Sequence, residues 1–466
     1  PKLSYLDKLH FNGNTTIRLA SASNEKTGHI DFNIGLKKWA FLTSVSFASF
    51  DDLRMGKHGP DDYLRTEYVD TINGEDIIVV NDNPRIQKFT GYNQFNLMQK
   101  VRYEPQDNLN LDLGLYYSET SDIPRYDRLI RYREDELRSA EWYYGPQQWF
   151  MSNFGLTKLS SSSNLYDKIK VSTAYQNFKE SRVHRDYQSA NQSNNEEQVD
   201  AYSANVDFEK ELSTKTQLFY GAEYIFNKVF SKAYSKNLQT EESEPIVTRY
   251  PNKSTWQSAA VYTSLKYKPN TKFIFQSGLR YNYVSYKADF TANNVFLNLP
   301  YDSTQNSSGA LTGTAGISWS PNQTIQWKLN ASTAFRAPNI DDVGKVFDSE
   351  PGAVVVPNEN LKPEYAYEGE LGLKLNFNNA VVLDLGTYYT YLDNALVRRD
   401  YSINGEDQIE YDGELSQVQA MQNASKAWIY GFEVGLRINF SEKLKLNSQY
   451  NIIGGTEEDK DIEVPV

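Results

Sequence analysis

The sequence predicts an all-β fold: a transmembrane antiparallel β-barrel with long extracellular loops and short periplasmic turns. Three observations predict it. Apolar and polar residues alternate with period two from one end of the chain to the other, as in Tyr365, Tyr367, Gly369, Leu371, Leu373, Leu375, Phe377 against Ala366, Glu368, Glu370, Gly372, Lys374, Asn376. A 3.6-residue period would carry those charges into the apolar stripe, so the segments are strands with two unlike faces. Within the apolar parity, aromatic residues gather toward strand ends, as at Trp428 and Phe440; amphipathic rings take that position at the two interfaces of a membrane, whereas a sandwich core has no reason to sort them to its rims. Finally, short and long connections take turns, the pattern of a barrel turned over on one side and looped on the other. No run of about 18 or more apolar residues exists for a helical span, but a barrel strand turns only every second residue to lipid.

Taken in order, the turn Lys37-Lys38 joins early strands, and the polar stretch Asp51–Pro84 is the first long connection. Pro105-Gln106-Asp107 turns the chain into the strand Leu109–Tyr117, followed by the long Glu119–Glu141 and, later, Ser181–Glu197. Ser213-Thr214 precedes Leu218–Phe226, after which Ser231–Asn252 is long again. Pro269-Asn270 leads into Phe273–Tyr283, then Ala288–Ser308; Pro321-Asn322 leads into Ile325–Arg336, then Pro338–Leu361. Tyr365–Phe377 ends at Asn376-Asn378-Asn379, Asp400–Gln422 is the last long connection, and Trp428–Phe440 turns at Ser441-Glu442-Lys443 into Leu444–Ile452. The total is roughly seventeen strands. Single-chain bacterial barrels close with an even number, so further strands are expected, and Asp461–Val466 reads as the start of another loop. No signal peptide opens the sequence at Pro1.

Composition narrows the function. Lys+Arg 48 against Asp+Glu 60 gives a net charge of −12, the opposite of a nucleic-acid footprint. With Cys 0, there is no disulfide framework, thiolate metal site or thiol nucleophile.

Particular motifs carry a family resemblance. Phe335-Arg336-Ala337-Pro338, followed by Asn358-Glu359-Asn360-Leu361-Lys362-Pro363-Glu364, resembles the FRAP and NxNLKPE signatures of TonB-dependent outer-membrane receptors. The stretch from Asn423-Ala424-Ser425 to Tyr430-Gly431-Phe432-Glu433 is similar to the same family's asparagine-to-YGxE strand, and Asn24–His29, Ser121–Leu129 and Glu141–Gln147 resemble receptor loops of Bacteroidetes. The resemblance implies a 22-stranded barrel around an N-terminal plug. Residues 1–466 then form the barrel domain without the plug or the last strands. It also implies a multi-pass protein of the Gram-negative outer membrane. Its partners would be outer-membrane lipid, TonB (reached through the plug and a TonB box), an iron-complex ligand and, in some relatives, a surface lipoprotein. The outer membrane holds no ATP, so uphill import would use energy transmitted by TonB.

The expected cargo is a ferric siderophore or other iron complex, with haem or cobalamin as alternatives. A passive porin or a rim enzyme is the rival from another class, but no nucleophile elbow is present. Clustered Arg125, Arg128, Arg131 and Arg133 with Tyr126, Trp142, Tyr143 and Tyr144 suit an anionic, partly aromatic ligand by charged hydrogen bonds and stacking; the competing reading makes them a structural loop latch. Arg336 points to the lumen, to pair with Glu368 or Glu370 or to meet the ligand. His58 and His184 lie in long connections, and none of the four histidines falls within 339–357, where haem receptors of the family carry one. No catalytic residue, metal ligand or cofactor is assigned, and the acidic Glu241–Glu244 and Asp341-Asp342 stretches are read as solvated loops rather than calcium sites. Lumenal parity holds Lys272, Gln276, Arg280, Asn282, Lys328, Asn330, Lys374, Arg437, Lys445 and Gln449; such charges need a wet interior.

Overall fold

The computed structural model describes residues 9–350, 352–411, 413–423 and 426–457. Ala424, Ser425 and the expected loop at 461–466 lie outside the described residues.

Seventeen strands form one meander: β1 (His10–Ala20), β2 (Glu25–Gly35), β3 (Trp39–Phe50), β4 (Tyr92–Gln106), β5 (Leu109–Thr120), β6 (Gln148–Leu159), β7 (Lys168–Asp186), β8 (Asn191–Ser213), β9 (Thr216–Asn237), β10 (Ser254–Tyr267), β11 (Phe273–Asp289), β12 (Ser303–Trp319), β13 (Ile325–Arg336), β14 (Glu364–Phe377), β15 (Val381–Asp393), β16 (Lys426–Asn439) and β17 (Lys445–Glu457). Each pairs antiparallel with its sequence neighbours. Among the described residues β1 and β17 are not paired with each other, and both are mostly exposed.

Register keeps the two faces separate around the wall. Leu329, Leu371, Thr387 and Phe432 follow one another across β13 to β16, while Asn330, Glu370, Tyr388 and Gly431 follow on the other face. The apolar face is uncovered: Leu279, Leu311, Leu329, Tyr389 and Phe432 are all exposed. A water-soluble sandwich would bury these side chains, because contiguous exposed apolar area of this extent marks contact with another apolar phase. Aromatic pairs bound the belt. Near the short turns, Trp39 stacks on Tyr103 at 4.1 Å and Phe208 on Tyr220 at 4.8 Å. Toward the long loops, Tyr175 meets Tyr202 at 5.0 Å and Tyr367 meets Tyr391 at 6.1 Å. The polar face carries ion pairs between strands: Arg102 grips Asp112 on the next strand through two bonds of 2.7 and 3.0 Å, Lys374 meets Asp384 on its neighbour at 3.3 Å, and Arg280 of β11 reaches across β10 to pair with Glu223 of β9.

Several segments differ from the sequence expectation. Ser181–Glu197 is a continuous hairpin rather than a long connection: β7 and β8 stay paired up to His184 and Ser193 and turn through Tyr187–Ala190. Above the hydrocarbon belt both faces meet polar surroundings, so the alternation fades while the backbone ladder continues. Likewise Ser231–Asn237 belongs to β9 and Ser303–Ser308 to β12. Glu25–His29 lies within β2, and Glu141–Tyr144 forms part of a short strand, Ser139–Tyr144, paired to β7. The eight-residue turn 160–167 had no Gly or Pro signal.

The buried core sits at the loop end, not between wall strands. There α2 (Thr291–Leu297) and α3 (Ile340–Gly344) join a five-stranded loop sheet built from Phe347–Glu350, Ala353–Val355, Leu396–Asp400, Gln408–Tyr411 and Glu414–Asn423. Phe290, Val343, Val354, Val356, Leu361 and Val418 pack together and against Tyr286 and Ala288, which share the inner parity of β11 with Arg280 and Asn282. The loops therefore fold over the polar face and into the mouth. The short helix α1 (Tyr126–Leu129) lies in another connection.

Candidate functional site

A cavity of about 760 Å³ opens among the loops in the mouth. Its cationic lining is Arg128, Arg131 and Arg138 from the connection after β5, Arg182 and Arg185 from the end of β7 above the belt, and Arg249 from the connection after β9. Its apolar lining comes from Val295, Phe296 and Leu297 of α2 with Val346 and Phe347. Asn298 in the left-handed conformation (φ 50°) stops α2, so its last turn presents these side chains together.

Most of the arginines already hold carboxylates. Arg185 meets Asp76 at 2.6 and 2.8 Å and Glu141 at 3.1 Å, with side chains of Arg185 and Asp76 only 5% and 2% exposed. Burial alone would raise the Asp76 carboxyl, but hydrogen bonds from Arg185, Thr71 and the Gln188 amide hold it below the usual carboxylate range. This pair docks a hairpin, Glu67–Ile72 with Glu75–Val80, turned by Asn73-Gly74 with both φ positive. Arg182 donates to Glu180 at 2.6 Å and lies over Tyr144 at 5.0 Å. Across the mouth, Glu414 accepts from Arg133 at 2.8 Å and approaches Arg138 at 3.6 Å, while Arg133 also holds Asp186 at 2.9 Å. Arg249 differs: it lies over the rings of Tyr250 (5.6 Å) and Phe347 (5.3 Å) and, among the described residues, makes no ion pair with a carboxylate.

The candidate residues read from the sequence do cluster, in two roles. Arg128 and Trp142 line the cavity, as does His184, whose ring stacks on Trp142 at 6.1 Å. Arg125 is held between Trp142 (5.1 Å) and Tyr144 (4.9 Å) and clamps Asp127 with two bonds of 2.7 Å. That clamp raises the Arg125 guanidinium and lowers the Asp127 carboxyl relative to their ordinary values. Tyr126 lies beneath Arg65 at 5.7 Å. Burial, with the charges of Asp122 and Glu141 nearby, pushes the Tyr143 phenol up to about 12. His58 is exposed on its loop. Among the described residues no group of three or more His, Asp and Glu side chains is arranged to hold a metal ion.

Arg336 corrects one expectation. Its Nη2 pairs with Asp342 at 2.7 Å, not with Glu368 or Glu370. Asp342 lies only six residues on, because Pro338, fully buried, turns the chain straight into α3. There Asn339 and Asp342 form a reciprocal capping box, with bonds of 3.1 and 3.0 Å. The acidic pair Asp341-Asp342 is thereby engaged, since Asp341 accepts from Tyr250 at 2.8 Å and pairs with Lys345 at 2.9 Å. Phe335 packs on Tyr365 at 5.2 Å, while Ala337 joins Arg336 to Pro338. The second motif is a staple. Asn358 donates to the Met421 carbonyl (2.8 Å), the Asn360 amide donates back to Asn358 (3.0 Å), and Leu361 enters the loop core. The Lys362 amide and carbonyl both bond Asn423 (2.8 and 2.9 Å), and Glu364, beyond Pro363, accepts from the Leu396 amide (2.8 Å).

Arg182, Arg185, Arg249, Val295 and Phe296 were not singled out from the sequence. They come from three segments far apart in the chain, and only the fold assembles them. A faint signal existed: Arg182 and Arg185 continue a paired strand beyond the point where its apolar parity ends.

Residues 81–463 match the family model described as TonB dependent receptor-like, beta-barrel. No curated protein matches the chain. Among solved structures it is similar to the copper transporter OprC (12% identity, TM-score 0.74, covering 100% of this chain and 66% of that one). It is also similar to the Serratia marcescens hemophore receptor HasR, in complex with its hemophore HasA and heme (13%, 0.64, 97% and 63%), and to the Yersinia pestis ferric yersiniabactin uptake receptor FyuA (13%, 0.63, 96% and 62%). At these identities the likeness is one of fold, and the chain spans about two thirds of the length of these structures.

Proposed function

The chain belongs to the TonB-dependent receptor β-barrel family, and on that premise we propose that it is the barrel of an outer-membrane receptor importing a scarce nutrient complex, foremost a ferric siderophore or another iron complex, with energy transmitted by TonB. The observation that carries the reading is the wall with two unlike faces: an exposed apolar belt bounded by aromatics, and an ion-paired polar interior capped by a loop cavity. Such an interior suits a hydrated, movable plug, and the apolar belt suits outer-membrane lipid. The family consists of receptors and transporters, and no residue here is assigned a catalytic role.

In this reading the loop end faces outward. Arg128 and Trp142 meet the ligand, while Arg125, Tyr126, Tyr143 and Tyr144 hold the loop that presents them, and Arg336 keeps α3 in place. The similar solved structures are a copper transporter, a hemophore receptor in complex with its hemophore and heme, and a ferric yersiniabactin uptake receptor, which supports import of a metal-containing nutrient without choosing among them; haem and cobalamin stay as alternative cargoes.

The test is uptake of a radiolabelled ferric siderophore panel by iron-starved cells carrying the receptor, lacking it, or lacking functional TonB. Import lost in both deficient strains supports the proposal. Receptor-dependent uptake that persists without TonB would make the barrel a passive pore.

A further inference from the structure

We propose that Glu197 is a proton-operated latch between the barrel wall and the loops that roof the mouth: while its carboxyl is protonated, the connection after β9 and helix α3 lie against the wall, and its ionisation loosens them. The latch is independent of what the barrel admits.

Glu197 stands on β8 beyond Tyr202, whose contact with Tyr175 marks the loop side of the belt. It takes the inner parity, opposite Glu180 of β7 and Ser231 of β9. The residue is 8% exposed, and neither carboxylate oxygen has a hydrogen-bond partner among the described residues. An ionised carboxylate buried without donors carries a heavy desolvation penalty, which the protonated form largely escapes.

The seam of the roof runs beside this group. β9 and β10 stop pairing at Val229 and Ser254, and beyond that point the returning connection takes over the edge of β9. The Ser231 amide donates to Asn252 Oδ1 at 3.2 Å, the Tyr250 amide donates to Ser231 Oγ at 3.4 Å, and the Ile246 amide donates to the Ala233 carbonyl at 3.3 Å. Tyr250 then gives its phenol proton to Asp341 of α3 at 2.8 Å, and the Val346 amide, just past α3, donates to the Arg249 carbonyl at 2.8 Å. Helix α3 therefore reaches the wall through Arg249 and Tyr250, at Ser231 and next to Glu197.

The charges around Glu197 do little to stabilise its anion. On β7, Arg182 is drawn to Glu180 at 2.6 Å, and Gln147 holds the other oxygen of Glu180 at 2.9 Å. On β8 itself, Glu196 accepts from Tyr234 at 3.0 Å. From the roof come the Tyr250 phenol and, behind it, Asp341. Burial, aided by the negative charges of Glu180 and Glu196, outweighs the pull of Arg182 and the Ser231 hydroxyl and pushes the Glu197 carboxyl up to about 7. Burial raises the Tyr250 phenol as well, with Asp341 adding to it, so Tyr250 keeps its proton and Glu197 is the member of the seam that titrates. Once ionised, Glu197 finds unpartnered donors only in the buried Nε and Nη1 of Arg182, and turning to them takes it away from the seam. If lifting the roof lets water restore an ordinary value of about 4.3, docking is full below that value and weakens about tenfold per pH unit until about pH 7, then levels off.

The test uses the full chain in lipid nanodiscs, with amide hydrogen exchange followed from about pH 5 to about pH 8 and corrected for the intrinsic pH dependence of exchange. Protection of residues 246–252 and 340–346 should fall by roughly two decades between pH 5 and 7 and little thereafter, while β14, β15 and the hairpin Glu67–Val80 stay constant. Glu197→Gln keeps the shape and has no proton to lose, so it should hold the acid-side protection over the whole range. Infrared difference spectra between the same limits should show a buried carboxyl C=O band that is present on the acid side and missing in Glu197→Gln. A flat profile in the unaltered chain, a response that persists in Glu197→Gln and so belongs to another group such as His184 of β7, or the lack of that band would each overturn the latch.

Discussion

Replacing Arg185 by Met tests how the loop end is held together. Methionine keeps an unbranched stem but no charge, and it leaves Asp76 as a carboxylate 2% exposed, retaining only Thr71 Oγ1 at 2.8 Å and the Gln188 amide at 2.9 Å. Removing one partner of a buried ion pair costs about 3–5 kcal/mol, or about two to four decades in an equilibrium constant. The wall has its own backbone ladder, so the cost falls on docking of the hairpin Glu67–Val80 rather than on the barrel. Amide hydrogen exchange should show protection within 67–80 falling by that factor while β14 and β15 stay unchanged. The double variant Arg185→Met with Asp76→Asn should recover much of it, because no uncompensated charge is left. Acid should act in the same direction. Asp76 has a depressed pKa in the folded chain, so its contribution is full above its unfolded value of about 3.9 and is lost as pH falls through the folded value. Unaltered protection in Arg185→Met, at neutral and at acid pH, would refute the view that this pair docks the hairpin.

Three further outcomes are expected. Leu329→Lys, on the apolar face, should destabilise refolding into lipid vesicles by about 2–4 kcal/mol, whereas Lys328→Leu on the inner face should leave insertion intact; urea titrations read both. Asp342→Ala removes the return arm of the capping box, the bond its carboxylate accepts from the Asn339 amide, and the partner of Arg336, so exchange should quicken across α3 and residues 337–346. Glu414→Gln breaks the bridge from Arg133 and Arg138 to the last long connection; a spin-label pair across the mouth should report wider separation in low salt and little change at high salt, where the pair is already screened.

The barrel was legible because each wall residue declares its face by parity. Leu371 and Glu370 alternate in the sequence for the same reason that they separate in space. Legibility ended where that solvent difference ends. Arg182 to Asp186, Val183 apart, and Asn191 to Glu197 are polar on both sides, so the sequence looked like a loop although the ladder continues. The site was half visible for a related reason. Arg125, Arg128 and Trp142 stand close together in the chain and declared themselves as a group, whereas Arg249 and Phe296 meet Arg185 only through tertiary packing. Arg336 misled because parity predicts which face a side chain takes, not whether the chain will bend back at Pro338 to bring Asp342 within reach.

Strands β7, β8 and β9 run to 19, 23 and 22 residues. At about 3.3 Å per residue and a tilt near 40° the longest climbs roughly 55 Å, against an apolar band of about 25 Å. The rim is therefore lopsided, a tall palisade on one flank and, at the four-residue turn after β1, a low sill on the other. A bulky visitor approaching the loop end meets the 187–190 turn first, while the 21–24 turn is covered by the connection after β3, whose Asp51 and Arg54 amides bond the Ser23 and Ala22 carbonyls. That crest, stiffened from behind by Arg185, is a natural place to graft an epitope or fluorophore that stands clear of the membrane and leaves the entrance open.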